Sequence, residues 1–262
     1  MIGNIINSDN RKFSLYVTIQ CKGERKFRVA ISDYGKSNSK YGDREIIVKE
    51  KRTIYFNFPV SPKKLALLVA DMSDNSSKDF EVTTMEAPLR TYDIWLDADT
   101  EDFLTLATHF CQVAGFEAAS QTGRIFATQD NKFTIKYFDI IREQMSGKTL
   151  NTPARIGHRT GIIEVSKIKF DSYTMPMRMI ILLHEFSHKY KNPKIGLEIS
   201  NEIGADINAL YIYLGLGYSK IDAICVFANV FLKAQTQGNI ERMRKIMDYI
   251  QKFENQEFAK VN

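Results

Sequence analysis

Residues 175–188 read Met-Pro-Met-Arg-Met-Ile-Ile-Leu-Leu-His-Glu-Phe-Ser-His. Pro176 sits where a first helical turn leaves backbone N–H groups unpaired in any case. The apolar run Ile180, Ile181, Leu182, Leu183 leads directly into His184. The stretch predicts an amphipathic helix from Met175-Pro176 to His188, broken afterwards by Pro193 and Gly196. On such a helix His184 and His188 are four apart, so their imidazoles share one face about one turn apart. Glu185 stands one residue after the first of them.

Two imidazoles in that relation can approach one metal ion. Zinc suits neutral imidazole nitrogen and tolerates an open coordination position. The chain has only four histidines, and two of them make this pair. In the known use of the arrangement, the intervening glutamate faces the metal-activated water and takes its proton. A zinc site needs a further protein ligand. Residues 201–206, Asn-Glu-Ile-Gly-Ala-Asp, fall on a second predicted helix over 197–214, where Glu202 and Asp206 share a face.

His184-Glu185-x-x-His188 followed by Glu202-x-x-Ala205-Asp206 resembles the gluzincin-type zinc metallopeptidases. Residues 201–206 also resemble the Asn-Glu-x-x-x-Asp pattern of the thermolysin-like branch. The resemblance spans roughly residues 100–215, with motif-level detail at 184–206. It implies a Zn²⁺ cofactor held by His184, His188 and Glu202, with Glu185 as general base. It implies that Asp206 accepts a hydrogen bond from a ligand histidine, His184, which fixes the tautomer and raises basicity. It also implies a small sheet whose edge strand, expected at 161–166, binds a peptide substrate by strand addition. Thirteen residues separate His188 from Glu202, fewer than in the thermolysin-like branch, and Lys189 stands where the family has an uncharged residue. Glu198, one turn before Glu202, is an alternative third ligand, and Asp206 an alternative direct one. Tyr211, Tyr213, Tyr218 and His158 are all candidates for the donor that would stabilise an oxyanion.

Outward from this core the texture changes near Pro88. Before it, Phe13, Leu15, Val17, Ile19 and Cys21 alternate with polar residues, and Phe27, Val29, Ile31 and then Ile54, Phe56, Phe58 repeat the pattern. Residues 65–69 and 80–84 are further strand candidates, and 35–42, 61–62 and 73–77 read as turns. After it, Asp99 or Thr100 can cap a helix carrying Phe103, Leu104, Leu106, Ala107, Phe110 and Cys111, with Gly115 to end it. A hairpin follows over 124–128 and 133–141, joined at Asp130-Asn131. A third run covers 161–170, and helices are predicted near 220–234 and 239–258. The expected fold class is α+β. An antiparallel β-sandwich or barrel over 1–90 precedes a zincin-like metallopeptidase domain over 91–262, built from a helix, a small mixed sheet, the active-site helix and C-terminal helices.

Composition narrows the function class. The chain has 262 residues, 44% of them hydrophobic, and a net charge of +5 that is spread rather than clustered, so nucleic-acid binding is not expected. Cys21, Cys111 and Cys225 are few and far apart, which argues against a disulfide framework. No signal peptide and no membrane span is expected. The function expected is peptide-bond hydrolysis through a zinc-activated water. The alternative is a structural component of a larger assembly that carries a metallopeptidase-like domain. The Asn-, Lys- and Ile-rich texture resembles phage-encoded virion proteins of the tail or portal region. The expected partners are a peptide or protein substrate and assembly partners on the N-terminal β domain, in the cytoplasm or a virion.

Overall fold

The alternation at 13–21 and at 27–31 belongs to one strand. In the computed structural model β2 runs over Phe13–Asp33 and pairs antiparallel with β3 (Lys36–Phe58) along its length. The register slips between Gln20 and Glu24, where Gly23 and, opposite it, Glu50 take positive φ of 72° and 63°. A bulge bends and twists a strand without ending it, so the odd-numbered apolar residues point inward on both sides of the break. Residues 36–42, expected as part of a turn, are instead the start of β3. Long-range pairing with β2 overrides the weak strand preference of its Ser, Asn and Gly residues.

The structure describes residues 1–73, 79–143, 145–193, 201–234 and 236–255. The chain divides into two compact units, Met1–Thr91 and Tyr92–Asn262. In the first, β1 (Ile2–Asn7), β4 (Lys64–Asp71) and β5 (Phe80–Pro88) complete one five-stranded antiparallel sheet. The strand order is β1-β4-β2-β3, with β5 on the N-terminal half of β2. The expected sandwich or barrel is therefore a single continuous sheet folded over itself. Phe27 meets Phe80 at 5.0 Å between centroids, and Tyr41 meets Phe58 at 6.2 Å. Val17, Ile19, Phe27, Val29, Ile31, Val48, Leu65 and Val69 are all fully buried in the core so formed.

In the second unit α1 (Ala98–Val113) buries the apolar residues its spacing foretold. Its cap is Asp97, whose carboxylate accepts from Thr100 N at 2.8 Å, rather than Asp99 or Thr100. The helix gives way at Ala114, before Gly115. A small mixed sheet follows in the order β6-β7-β9-β8: Arg124–Ala127, Thr134–Phe138, Ile163–Ser166 and Ala154–Ile156. β6–β7 is the expected antiparallel hairpin, β7–β9 is parallel, and β8–β9 is antiparallel. The edge expected at 161–166 is corrected here. β9 is interior, and the three-residue β8, too short for a periodicity reading, takes the edge.

Residues 167–170, expected as strand, form the short helix α2 (Lys167–Phe170). Four more helices follow: α3 (Met175–Ser187), α4 (Asn201–Gly215), α5 (Lys220–Val226), which runs into a π turn at Phe227–Phe231, and α6 (Gln237–Glu254). Except for Met177, α3 is buried from Met175 to Ser187. Burying each large apolar side chain stabilises by about 1.5–3 kcal/mol, so this helix is a main support of the unit. Phe103 of α1 stacks on Phe186 of α3 at 4.2 Å, and the edge strand β8 lies against the same helix. No helix among the described residues is long and apolar enough to cross a membrane.

Candidate metal centre

The site is built on the last turn of α3. His184 is buried and His188 nearly so, and their Nε2 atoms approach to 3.1 Å. The rings are almost perpendicular, at 84°. Glu202, in the first turn of α4, brings its carboxylate there, with Oε2 3.8 Å from His184 Nε2 and Oε1 3.7 Å from His188 Nε2. Around an ion with bonds of about 2.0–2.2 Å, tetrahedral donors lie about 3.3–3.6 Å apart. The three separations bracket that range. Among the described residues, His184, His188 and Glu202 are the group whose donor atoms could hold a metal ion together.

Further features fit an ion at this place. Burial, and next the neighbouring His184, push the His188 pKa down, which keeps its ring in the neutral form that ligates. Phe231, at the end of the π turn, lies over the His184 ring at 4.2 Å and restrains it.

Helix α4 is locked to α3 by Asn208. Its amide donates to Ser187 Oγ at 2.7 Å and to Tyr190 O at 3.3 Å, while its Oδ1 accepts from Asn192 N at 3.0 Å. This fixes the height at which Glu202 meets the two histidines, so the short 13-residue connection still closes the site.

Asp206 is fully buried, one turn after Glu202. Its Oδ1 lies 2.9 Å from His184 Nδ1, a close polar approach without aligned hydrogen-bond geometry. It faces the side of the ring away from Nε2, so the alternative of Asp206 as a direct ligand does not fit this placement. Glu198, the alternative third ligand, lies outside the described residues.

Arg242 of α6 was not foreseen. Its guanidinium grips both Asp206 oxygens, through Nε and through Nη2 at 2.7 Å, and Nη2 also reaches Glu202 Oε2 at 3.0 Å. It therefore ties the residue behind His184 to the carboxylate in front of it. No local pattern marks it, since it lies 36 residues beyond Asp206 on a helix with a mostly polar surface.

Glu185 follows His184 directly on the same turn of α3. It is 8% exposed and accepts a hydrogen bond from the backbone N–H of Ile156, on the edge strand. Burial raises its pKa above the ordinary carboxylate range, and nearby Glu202 adds to this, while His184 and the Ile156 N–H oppose it. Of the four oxyanion candidates, Tyr211 engages the Trp95 N–H at 2.9 Å, and Tyr213 and Tyr218 stack on each other in the core. Only His158 stands at the site, with its ring 6.2 Å from that of His188. No family model, curated protein or solved structure matches the chain, so what the site does has to be read from its own geometry.

Proposed function

We propose that the chain is a zinc-dependent metallopeptidase of the gluzincin type, with His184, His188 and Glu202 as ligands and Glu185 as general base. The observation that carries this reading is the convergence of three ligand atoms beside a buried, hydrogen-bonded carboxylate on the same helix turn. Two imidazoles and one carboxylate make a three-ligand set that leaves a coordination position open, which is the zinc arrangement for hydrolysis. When bound, the ion would polarise the scissile carbonyl and acidify water.

The chain's own residues do the rest. Glu185 accepts a proton from the attacking water and passes it to the departing amine nitrogen as the C–N bond breaks. Its pKa, raised by burial, suits both halves of that transfer. In the narrow ladder, Gly157 N donates to Ile162 O and Ser166 N to Pro153 O, so Ala154 and Ile156 turn their backbone groups toward the open edge of β8. The Ile156 N–H serves Glu185 and Ala154 O accepts from Thr152 Oγ1 at 2.7 Å, which leaves Ala154 N–H and Ile156 O to align an extended peptide across the site.

A second reading is an assembly component that carries this domain. It draws on the N-terminal unit, where exposed Ile5 and Leu68 sit beside Gly3, Ala30 and Ala66 on one outer surface. The deciding experiment incubates the zinc-loaded full chain, and its Glu185→Gln variant, with a broad peptide library. Cleavage by the wild type should fall by about 10²–10⁴-fold in the variant with zinc retained. If both bind zinc and neither cleaves, the assembly reading takes the lead.

A further inference from the structure

A row of side chains in register crosses the outer face of the small sheet. Ile125 of β6 pairs with Lys136 of β7, Lys136 with Glu164 of β9, and Glu164 with Arg155 of β8. Their neighbours along the strands, Ile135, Tyr137, Ile163, Val165, Ala154 and Ile156, are buried. Side chains alternate across a strand, so Lys136, Glu164 and Arg155 share the other face. Toward the open edge their charges run plus, minus, plus. Arg155 Nε donates to Glu164 Oε2 at 2.7 Å, and its Nη2 to Arg142 O at 3.3 Å. These bonds leave Nη1 over for a further acceptor. The side chain is 35% exposed, at the border of a cavity of about 580 Å³.

Beyond Arg155 lies the edge of β8. Gly157 N donates to Ile162 O and Ser166 N to Pro153 O, so Arg155 is the β8 residue whose backbone turns inward to β9. A peptide laid antiparallel on the edge would pair through Ala154 N–H and Ile156 O. It would set one residue opposite Arg155 in a non-hydrogen-bonded pair, where facing Cα atoms are about 4.5 Å apart and side chains are closest. That side chain falls on the face of Arg155, away from the buried face. The next residue of the peptide passes Ile156, whose N–H holds Glu185. The residue facing Arg155 is thus near the reacting bond in sequence but on the other face of the sheet from Ile156.

We propose that Arg155 is a specificity-determining residue that selects peptides with aspartate or glutamate at the position opposite it. The proposal rests on the metallopeptidase reading. An acidic side chain there extends the alternating row and meets Nη1, while a lysine would set two positive charges side by side. Cross-strand charge pairs are individually modest, so attraction and repulsion together favour an acidic over a basic residue by about tenfold. Because the pair is partly exposed, the preference should weaken with added salt.

The test incubates a randomised peptide mixture with the zinc-loaded full chain and sequences the cleaved peptides by mass spectrometry. The same mixture is passed over immobilised, zinc-loaded Glu185→Gln, and the retained peptides are sequenced. Both arms are repeated with Arg155→Gln added, and with a triple variant, Lys136→Glu, Glu164→Arg and Arg155→Glu, which inverts the row and keeps its pairing. Zinc content checks that each variant is folded. Acidic residues should be enriched at one position near the cleaved bond, and a peptide with glutamate there should exceed its lysine counterpart in kcat/KM by about tenfold. Arg155→Gln should flatten the preference, and the triple variant should prefer lysine or arginine. A wild type without acidic preference, or a preference that persists in Arg155→Gln, would overturn the proposal. If the wild type cleaves nothing, the hydrolase reading fails on its own and the retained peptides decide. Acidic selection that Arg155→Gln abolishes then supports the assignment; persistence, absence of selection or no retained peptide overturns it.

Discussion

Asp206 faces His184 Nδ1 with one oxygen while both oxygens are held by Arg242. The pair is buried, with Asp206 fully enclosed and the Arg242 side chain 11% exposed. Removing one partner of a buried pair leaves the other charge uncompensated at a cost of about 3–5 kcal/mol. Arg242→Met should therefore lower stability by that order in urea unfolding, and Asp206→Asn should lower zinc affinity about 10–100-fold. Zinc titration against a competing chelator measures the second effect. Equal affinity in Asp206→Asn would mean that the carboxylate serves only Arg242. His184, Glu185 and His188 are legible in the sequence because their relation is set within one helix turn. Glu202 and Asp206 were named by resemblance, and their approach depends on how α4 packs on α3. Arg242 and Ile156 were beyond reach, because nothing local distinguishes an arginine that meets a buried carboxylate 36 residues away.

At the scale of elements, α3 is held by a buried charge of its own. Arg178 is fully enclosed and donates to Phe170 O, Cys111 O and Asp171 O, carbonyls at the ends of α2 and α1. Cations are favoured at helix C-termini, and here one side chain joins three helices. Arg178→Ala removes this link and a large buried volume, and should cost at least about 3 kcal/mol while leaving the ligands intact. In the N-terminal sheet, a Cβ on Gly42 would stand 2.5 Å from the Phe56 ring. Gly42→Ala should lower the melting temperature of the chain by overpacking worth about 1–3 kcal/mol. Asp43 is held below the ordinary carboxylate range, first by its hydrogen bond from Arg28. A carboxyl lowered on folding stabilises at neutral pH, and the gain fades as pH falls through its folded-state value. Because the pair is partly solvated, Asp43→Asn should remove under about 1 kcal/mol at pH 7, and less as the pH falls through the folded-state value of Asp43, which urea unfolding over a pH series would show. Periodicity exposed the faces of these strands and helices, since it depends on neighbours two to four residues apart. It could not reveal that β2 and β3 pass through a bulge unbroken, or that β8 rather than β9 is the sheet edge. Those are set by which strand pairs with which.

The whole molecule joins a β unit with its own core to an α+β unit that holds every residue of the candidate centre. A ligand that binds only the folded form stabilises by about 2.7 kcal/mol at one hundred times its dissociation constant. Chelation should therefore shift the unfolding of the Tyr92–Asn262 unit and leave that of Met1–Thr91 in place, as seen by calorimetry of the intact chain with and without zinc. The division near Pro88 showed in the sequence as a change of texture from alternating to helical periodicity. What each unit adds to the other did not, because partners and substrates leave no period in a chain. The most direct measurement for the central claim is the metal content of the purified full chain, set beside Glu185→Gln and His188→Ala. The wild type and Glu185→Gln should each hold about one zinc per chain, and His188→Ala, which lacks one of the three proposed ligands, should hold little. Absence of bound zinc in the wild type after reconstitution, or full occupancy in His188→Ala, would contradict it.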